Sequence, residues 1–469
     1  MRILLINPTT RNYSKGITIA AAAPLGLLSL ASVLREAGHK VMIYDHNVEN
    51  DGFKECKKFD PEMVGITSFT GPMILDALRM SGYYHDQGIP VVWGGIHPSL
   101  LPIQTIKNSK IDMVVVGEGE ETIVDLANSI ENHRNLENVK GLIWKETKDD
   151  GIKIRENAPR KFIEDLDSLP FPAWELIDVR KYKNTLMGWE NNASEIFSIQ
   201  TSRGCPFRCG FCYNTIFNNR KWRSKSADRV IEEISFLKEK FKIDKINFRD
   251  DNFVVNNKRV MDICRNIYKN KLDITFAIDC RVDLLTRNMA RLLKIAGCNQ
   301  IYFGIESGSP RILNFIKKDI TLQQAMDAVN LCKKVKIKSS TSFILGLPTE
   351  KQTDLLLTRK FIYKLMPDNL LVKIFVPYPG TFLYDYVIKN GLFNPPLKLE
   401  DWGLDWMNFE FKLSDTNPKV LKNIMKNLYI KHFILKFPKF AFNLIKTSLT
   451  KFYLHKLLLN GLRNLSASK

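Results

Sequence analysis

The chain has 469 residues, enough for about three domains with buried cores, and its 45% apolar and 25% charged residues exclude a disordered or collagen-like protein. It carries 69 Lys and Arg against 50 Asp and Glu, a net charge of +19, which is compatible with a polyanionic partner or an anionic membrane surface. Its eight cysteines are too few for a disulfide framework, so a cytoplasmic location is expected.

The N-terminal residues show no signal-peptide pattern. The longest apolar stretch lies at residues 17–34, but Pro24, Gly26 and Ser29 interrupt it. Every uninterrupted apolar run is shorter than the roughly 18 residues that a membrane span needs. We therefore predict no transmembrane helix.

The first 140 residues alternate short apolar blocks with segments of helical length. Blocks this apolar are typical of strands that are buried on both faces of a parallel sheet. We therefore predict a doubly wound, Rossmann-like α/β domain over residues 1–140. The predicted strands cover residues 2–7, 41–44, 63–67, 90–93 and 113–116, and the predicted helices cover residues 24–37, 72–84 and 120–131.

Ligands of such sheets bind at the carboxyl ends of the strands. Here these ends carry glycines, hydroxyl residues and an acid, which allow a large ligand to approach the backbone closely. No G-x-G-x-x-G follows the first strand, which argues against a dinucleotide ligand. Tight turns without a ligand are the alternative interpretation. The candidate ligand contacts are Thr9, Ser68, Gly94, Gly95, Gly117, Glu118 and Gly119.

A connector is predicted at residues 141–192, because Leu169-Pro170-Phe171-Pro172 disfavours regular structure there. Residues 193–400 form the next predicted domain, which opens with an apolar strand at 196–200. Beyond it, residues 401–469 form a helical, basic C-terminal region. The domain boundary therefore lies in the proline-rich connector.

Three cysteines follow the strand at 196–200 in the spacing C-x3-C-x2-C: Cys205, Cys209 and Cys212. Three thiolates can bind three irons of a 4Fe-4S cluster and leave the fourth iron open for chemistry. Structural zinc is the alternative, but it normally takes four protein ligands, and no fourth Cys or His follows closely. The spacing favours the cluster.

This motif, with Phe211 before the third cysteine, resembles the signature of the radical S-adenosylmethionine (SAM) superfamily. The resemblance implies that SAM chelates the open iron and is cleaved to a 5′-deoxyadenosyl radical. It also implies a partial (β/α)6 barrel, whose working residues lie at the carboxyl ends of the strands. Strands predicted near 196–200, 244–249, 273–279, 299–305, 339–345 and 371–376 agree with that fold.

The resemblance also implies a SAM site at these strand ends. Asp250 or Asp251 would hold the amino group, Glu306 the ribose hydroxyls, and the backbone of Tyr213 the adenine. Arg281 would meet the carboxylate with its planar fork. Two alternatives stay open: Asp251 could cap the following helix, and Arg281 could pair with either aspartate. The candidate SAM contacts are Tyr213, Asp250, Asp251, Arg281, Glu306 and Ser307.

An α/β domain that precedes such a barrel resembles the cobalamin-binding subgroup of the superfamily. The matching pieces are Pro24-Leu25-Gly26-Leu27, Gly94-Gly95-x-His97-Pro98 and Val116-Gly117-Glu118-Gly119-Glu120. The D-x-H-x-x-G motif for an axial histidine is missing, so cobalamin is expected without one. Methylthiotransferases have a similar layout but need three cysteines in the first domain, where only Cys56 is available.

The resemblance implies a class B methyltransferase, which moves a methyl group to an unactivated carbon with a 5′-deoxyadenosyl radical and methylcobalamin. Its substrate would be a small molecule or a lipid, and a flavodoxin or ferredoxin would supply electrons. The alternatives are an oxidative cyclase or rearrangement enzyme and, in another class, a non-catalytic cobalamin or iron-sulfur sensor. No RNA-binding module is recognisable, so no nucleic-acid partner is expected.

The net charge is concentrated at the C-terminus, because the last 54 residues carry +11 of the +19 and contain no acid. Lysines there alternate with Phe and Leu, which is typical of an interfacial amphipathic segment. That interpretation predicts peripheral contact with the inner face of the membrane. A helical cap with a solvated lysine face is the alternative. Three aromatic residues begin this region. We expect them to pack a capping helix rather than to close the cavity of the barrel: Trp402, Trp406 and Phe409.

Overall fold

The computed structural model describes residues 1–10, 22–49, 53–149, 151–182, 196–403 and 411–436. Trp406 and Phe409 lie outside the described residues, as does the tail beyond residue 436. The described chain forms two large, mostly parallel sheets with helices packed against them. The predicted α/β class is confirmed.

The first sheet has the strand order β2-β1-β3-β4-β5-β6-β7. Its first five strands are parallel, as predicted. The strand order reverses between β1 and β3, and ligands of open α/β sheets bind at such a point. The strands are β1 (Arg2–Asn7), β2 (Lys40–Asp45), β3 (Met63–Thr67), β4 (Val91–Gly94), β5 (Met113–Val115), β6 (Leu142–Lys148) and β7 (Gly151–Glu156).

The last two strands of this sheet lie in the segment that we predicted as a connector. β6 pairs antiparallel with β5, and β7 pairs antiparallel with β6. Leu142 and Ile143 are buried, whereas most of β7 is exposed. The first sheet therefore ends at Glu156 rather than before residue 141.

The helices of the first domain agree with the predicted segments and add three short ones. α1 starts directly after Pro24, and Gly38 follows its end with φ +88°, a left-handed conformation that favours glycine. Buried Leu27, Leu28 and Leu34 attach this helix to the sheet. The helices are α1 (Leu25–Glu36), α2 (Lys54–Phe59), α3 (Met73–His85), α4 (Ile96–Leu100), α5 (Pro102–Ile106) and α6 (Glu120–Glu131).

The second sheet has six parallel strands in the order β15-β14-β13-β12-β11-β8. This confirms the predicted partial barrel. Its strands are β8 (Phe197–Ile199), β11 (Lys245–Phe248), β12 (Thr275–Cys280), β13 (Cys298–Glu306), β14 (Lys338–Leu345) and β15 (Asn369–Ile374), and the short strands β9 (Ser202–Arg203) and β10 (Arg223–Ser224) form a separate antiparallel pair.

Helices cover the outer face of this sheet, where Phe248, Ile278, Phe303 and Phe343 are fully buried. The strand residues that alternate with them face inward, because successive side chains of a strand point to opposite faces. The helices are α7 (Asn214–Phe217), α8 (Ala227–Phe241), α9 (Asn257–Lys269), α10 (Arg287–Ile295), α11 (Pro310–Phe315), α12 (Leu322–Val335), α13 (Gln352–Leu365), α14 (Phe382–Lys389) and α15 (Pro418–Lys436).

The C-terminal region packs on both domains. The short 3-10 turn Glu400–Gly403 contacts α3, and buried Trp402 lies 5.8 Å from the ring of His97, which confirms the packing role predicted for Trp402. α15 covers β15, where the Tyr429 hydroxyl hydrogen-bonds both the N–H and the carbonyl of Val372. This contact protects the edge of the sheet from pairing with another strand. Among the described helices, none has the length and apolarity to cross a membrane.

Candidate active site

The cysteine loop begins at a position that only glycine can occupy. Gly204 has φ +81°, and a Cβ there would lie 1.9 Å from the carbonyl oxygen of Lys221. Its N–H donates a 3.0 Å hydrogen bond to Asp251 Oδ2. The chain therefore turns sharply between β9 and Cys205 and is fixed to the end of β11.

A second glycine holds the middle of the loop. The Gly210 N–H donates to the Ile316 carbonyl (2.7 Å), and the Gly210 carbonyl accepts from the Leu383 N–H (2.8 Å). A Cβ at Gly210 would lie 2.8 Å from Phe382 Cδ1. The loop is thus held between the end of α11 and the start of α14.

The donor set of the loop fits a cluster with one open iron. Cys205, Cys209 and Cys212 are free and partly exposed, and burial raises the pKa of the Cys212 thiol to about 12. In the described ranges, no three metal-ligating side chains converge on a point where a single ion would bind. Thiolates of a 4Fe-4S cluster bind separate irons and do not need to converge.

The two neighbouring aspartates after β11 have different surroundings. Asp250 is buried and accepts hydrogen bonds from the N–H and hydroxyl of Thr201 (both 2.6 Å) and from the hydroxyl of Ser202 (2.8 Å). It therefore supports the chain before the cysteine loop and is not free for the SAM amino group. Asp251 is exposed beside the loop, so it is the available member of the predicted pair.

The helix-cap alternative for Asp251 is wrong. α9 begins at Asn257, and the side chain of Asn256 accepts a hydrogen bond from the Arg259 N–H as its N-terminal cap. The Gly204 N–H and the Asn214 side chain donate hydrogen bonds to the Asp251 carboxylate. A carboxylate held beside the cysteines by these two donors keeps acceptor capacity for a cationic amino group.

Arg281 differs from both of its predicted roles. Its guanidinium donates to the Asp283 carboxylate (3.1 and 3.2 Å), to the carbonyls of Lys318 (3.0 Å) and Asp319 (3.2 Å), and to Cys209 Sγ (3.9 Å). A guanidinium has five N–H donors, so none is left for the SAM carboxylate, and its acidic partner is neither Asp250 nor Asp251. Arg281 instead ties the α11–α12 loop to the cysteine loop.

Glu306 is paired with a lysine that the sequence analysis did not identify. Lys318 Nζ donates to Glu306 Oε1 (3.1 Å), and both side chains are buried. Glu306 has φ +75°, a conformation that costs a non-glycine residue about 1–3 kcal/mol and occurs mostly at functional sites. The Ser342 hydroxyl, 3.4 Å from Glu306 Oε2, completes a polar group at the end of β13.

Ser307 and Tyr213 have different settings. The Ser307 hydroxyl is buried 3.2 Å from the Thr358 hydroxyl on α13, so it faces a helix and not the predicted SAM site. Tyr213 precedes α7, and its ring centroid lies 5.9 Å from that of Tyr378. Tyr378 follows β15, so the two tyrosines join the first and last strands of the barrel. No role was predicted for Tyr378.

The strand ends of the first sheet are tightly packed. Gly95 has φ +94°, and a Cβ there would lie 2.7 Å from Thr67 Oγ1. The Ser68 N–H donates to the Gly94 carbonyl (3.0 Å), and the Thr9 N–H donates to Asp76 Oδ2 (2.8 Å). These predicted ligand contacts are thus partly engaged with the protein itself.

An open platform remains between the ends of β3 and β5. Phe69 is 52% exposed, and a Cβ at Gly117 would meet no atom within 4 Å, whereas one at Gly119 would lie 3.0 Å from Leu30. The open backbone and exposed ring at these two strand ends fit a large, flat ligand such as a corrinoid. His97 is fully buried and burial lowers its pKa to about 3, which agrees with an ordinary loop histidine rather than an axial ligand.

Glu118 was predicted to contact the ligand of the first domain. In the structure it belongs instead to an ion-pair network between the two sheets. It accepts hydrogen bonds from Arg203 (2.9 Å), Arg223 (2.7 Å) and the Ile163 N–H (2.9 Å). Glu120 accepts from Arg203 (2.5 Å) as well. α4 also packs against α7. The carboxyl ends of the two sheets therefore meet around the cysteine loop.

Comparison with known proteins agrees with this architecture. Residues 21–127 match the B12 binding domain and residues 199–362 match the radical SAM superfamily. An uncharacterized methyltransferase of Pyrococcus horikoshii is 39% identical over 399 residues, which cover 84% of each chain. The chain belongs to the cobalamin-binding radical SAM enzymes. This family takes a 4Fe-4S cluster, SAM and cobalamin as its cofactors.

Other relatives of the enzyme are more distant. The anaerobic magnesium-protoporphyrin IX monomethyl ester cyclase of a Synechocystis strain is 27% identical, with coverage of 82% of this chain and 77% of that protein. The radical S-adenosylmethionine methyltransferase TsrM from Kitasatospora setae has a TM-score of 0.68 at 19% identity, with coverage of 83% and 75%. The last comparison shows a shared fold.

Proposed function

We propose that the enzyme transfers a methyl group to an unactivated carbon of its substrate. The observation that carries this proposal is the 39% identity, over 84% of both chains, with a protein named as a methyltransferase. When bound, the cluster and SAM supply a radical and cobalamin supplies a methyl group. One substrate carbon must meet both reagents, so both must face one cavity.

The contacts between the domains support such a shared cavity. The cysteine loop is flanked by α7, which packs against α4 of the first domain, and by Arg203, which is bonded to Glu118 and Glu120. Both contacts lie at carboxyl ends of strands, where ligands of α/β sheets bind. The chain thereby fixes the distance between its two cofactor sites.

Individual residues take the following roles in this proposal. Cys205, Cys209 and Cys212 hold the cluster, and Asp251 accepts hydrogen bonds from the SAM amino group. The Lys318–Glu306 pair lies at the carboxyl end of β13, where Glu306 keeps acceptor capacity for the ribose hydroxyls. Asp250 and Arg281 position the cysteine loop and have no direct role in binding SAM.

The experiment follows the methyl group. The full chain is reconstituted anaerobically with iron, sulfide and cobalamin, reduced by flavodoxin, and incubated with trideuteromethyl-SAM and a small-molecule extract of the producing cells. We expect a product that carries the label, and no such product with Cys205→Ser. Formation of 5′-deoxyadenosine in the extract without any labelled product would contradict methylation.

A cyclase is the second candidate, because the enzyme is 27% identical to a protein named as an anaerobic cyclase. A cyclase removes hydrogen from its substrate without adding a methyl group. The same incubation therefore separates the two candidates, since a cyclase yields 5′-deoxyadenosine and a product without the label.

A further inference from the structure

The outer surface of the cysteine loop is rich in basic residues. Residues 201–227, which contain the loop, carry six Lys and Arg and no Asp or Glu. Half of these bases are used inside the protein, because Arg203, Arg223 and Lys225 are paired with buried carboxylates. The others, such as Arg208, are exposed. The loop that holds the cluster ligands therefore presents a cationic surface to solvent.

Arg208 lies within the cysteine motif and keeps donors for a partner. Its guanidinium donates two hydrogen bonds to Asp319 (2.8 and 3.3 Å), and its side chain is 61% exposed. A guanidinium has five N–H donors in a planar fork. The pair with Asp319 therefore orients Arg208 on the surface and leaves donors for carboxylates of another protein.

A second cation and an aromatic ring lie on the same side of the loop. Lys317 Nζ is 3.6 Å from the centroid of the Phe382 ring, and Phe382 is 38% exposed. The ring also packs on the loop, because a Cβ at Gly210 would lie 2.8 Å from Phe382 Cδ1. One ring therefore reaches from solvent to the backbone between the second and third cysteines.

Arg220 joins this surface from the segment after α7. It is exposed, and its Nε donates to the carbonyl of Pro206 (3.3 Å), the residue after Cys205. Among the residues that the structure describes, neither Arg220 nor Lys317 has a carboxylate partner. We define the loop patch by four residues: Arg208, Arg220, Lys317 and Phe382.

The composition of the loop patch favours an acidic protein as its partner. Aromatic residues and arginine are enriched in protein–protein interfaces. A cationic patch is complementary to carboxylates, and such complementarity speeds association and excludes wrong partners. The partner is therefore expected to present Asp and Glu side chains.

The position of the loop patch indicates what this partner does. Reductive cleavage of SAM needs an electron that comes from outside the chain. The Phe207 ring lies 3.7 Å from the guanidinium carbon of Arg281, and that guanidinium donates to Cys209 Sγ at 3.9 Å. A protein that docks on the outside of the loop is thus separated from the cluster ligands by the loop itself. Such a short separation suits electron transfer, whose rate falls steeply with distance.

We propose that the loop patch docks an acidic one-electron carrier protein, of the flavodoxin or ferredoxin class, which reduces the cluster. One electron passes from the reduced carrier, which is oxidised, to the cluster, which is reduced, and no proton or group is transferred. The contact is small and transient, as electron-transfer interfaces usually are. The inference rests on the proposed function only in requiring an externally reduced cluster, so it holds for a methyltransferase and for a cyclase.

The first measurement is binding without turnover. The full chain, reconstituted with cluster, SAM and cobalamin, is titrated by calorimetry with oxidised flavodoxin and, in a second arm, with oxidised ferredoxin. We expect one or both carriers to bind, and to bind more weakly as salt rises. Arg208→Glu and Lys317→Glu should each weaken this binding roughly tenfold. Arg265→Glu is the matched control, because Arg265 is 58% exposed and paired with Asp262 on α9, and it should bind like the parent.

The second measurement shows whether docking delivers the electron. Cluster reduction is followed by rapid-freeze electron paramagnetic resonance with the reduced carrier and with photoreduced deazaflavin, a small neutral reductant that needs no docking surface. Variants of the loop patch should be slow with the carrier and normal with deazaflavin. Arg220→Glu, which lies outside the cysteine motif, is the third variant in case the others distort the loop.

Three results would overturn the inference. The first is unchanged carrier binding in all three variants, or equal weakening in Arg265→Glu. The second is slow reduction by both reductants in all three, since a damaged cluster loop would then explain the loss. The third is unchanged carrier binding with loss of binding to anionic vesicles, which would assign the patch to a membrane. Normal docking and reduction without labelled product would instead count against methylation alone.

Discussion

Glu118, three residues beyond the end of β5, accepts a 2.9 Å hydrogen bond from Nη1 of Arg203, two residues before Cys205. Arg223 binds the other oxygen of the same carboxylate at 2.7 Å. Burial alone would raise the pKa of Glu120, two residues further along, but Arg203 holds it below its ordinary value. The first domain is thereby attached to the start of the cysteine loop by buried charges.

We predict that Glu118→Gln lowers the free energy of unfolding by about 3 kcal/mol, because it leaves the buried charge of Arg223 without a carboxylate partner. Urea denaturation measures this change. Glu121→Gln is the matched control: its partner is Arg160 and its side chain is 55% exposed, so its loss should stay below about 1 kcal/mol. Equal losses in the two variants would contradict the network.

Gly204→Ala should prevent cluster assembly. The new Cβ would lie 1.9 Å from the Lys221 carbonyl oxygen at φ +81°, so the cysteine loop cannot keep its path. Iron and sulfide content after reconstitution measures the effect. Gly26→Ala on α1, where a Cβ meets no atom within 4 Å, should retain a full cluster. A full cluster in Gly204→Ala would show that the turn is not required.

Arg281→Gln should lower the reduction potential of the cluster. The parent guanidinium donates to Cys209 Sγ at 3.9 Å, and hydrogen bonds and positive charge near the sulfurs stabilise the reduced cluster. A redox titration followed by electron paramagnetic resonance measures the shift. Arg208→Gln removes an exposed arginine of the same loop, paired with Asp319, and should leave the potential unchanged. An unchanged reduction potential in Arg281→Gln would show that this guanidinium does not stabilise the reduced cluster.

We propose that the basic tail contacts anionic membranes, and the structure shows how to test this. A truncation before α15 would expose β15, which the Tyr429 hydroxyl holds at Val372. A chain that ends at Lys436 keeps this contact. The full chain, but not this truncation, should float with anionic vesicles, and salt should weaken its binding. Equal flotation of both would exclude the tail as the membrane contact.

Spacing and periodicity in the sequence predicted the cysteine motif and the parallel strands of both sheets. The three cysteines, the five parallel strands of the first sheet and the six of the barrel follow from local patterns and are present. The hairpin β6–β7 was missed, although Asp150-Gly151 between two alternating runs is a hairpin signal. Pro170 and Pro172, further along the segment, favoured the prediction of a connector instead.

The pairing of side chains could not be predicted in the same way. Asp250 and Asp251 are adjacent and chemically identical. Only the structure shows that the Asp250 carboxylate already accepts hydrogen bonds from Thr201 and Ser202. Lys318 lies in a charged run of ordinary composition, and nothing local marks it as the partner of Glu306. Such contacts depend on where distant segments meet.

In the proposed reaction, one cavity delivers both a radical and a methyl group to one carbon. This can be measured by quantifying 5′-deoxyadenosine, S-adenosylhomocysteine and methylated product in the same anaerobic reaction. We expect equal amounts of all three, since one SAM supplies the radical and another supplies the methyl group. Formation of 5′-deoxyadenosine with substrate consumption, but without S-adenosylhomocysteine or methylated product, would contradict it.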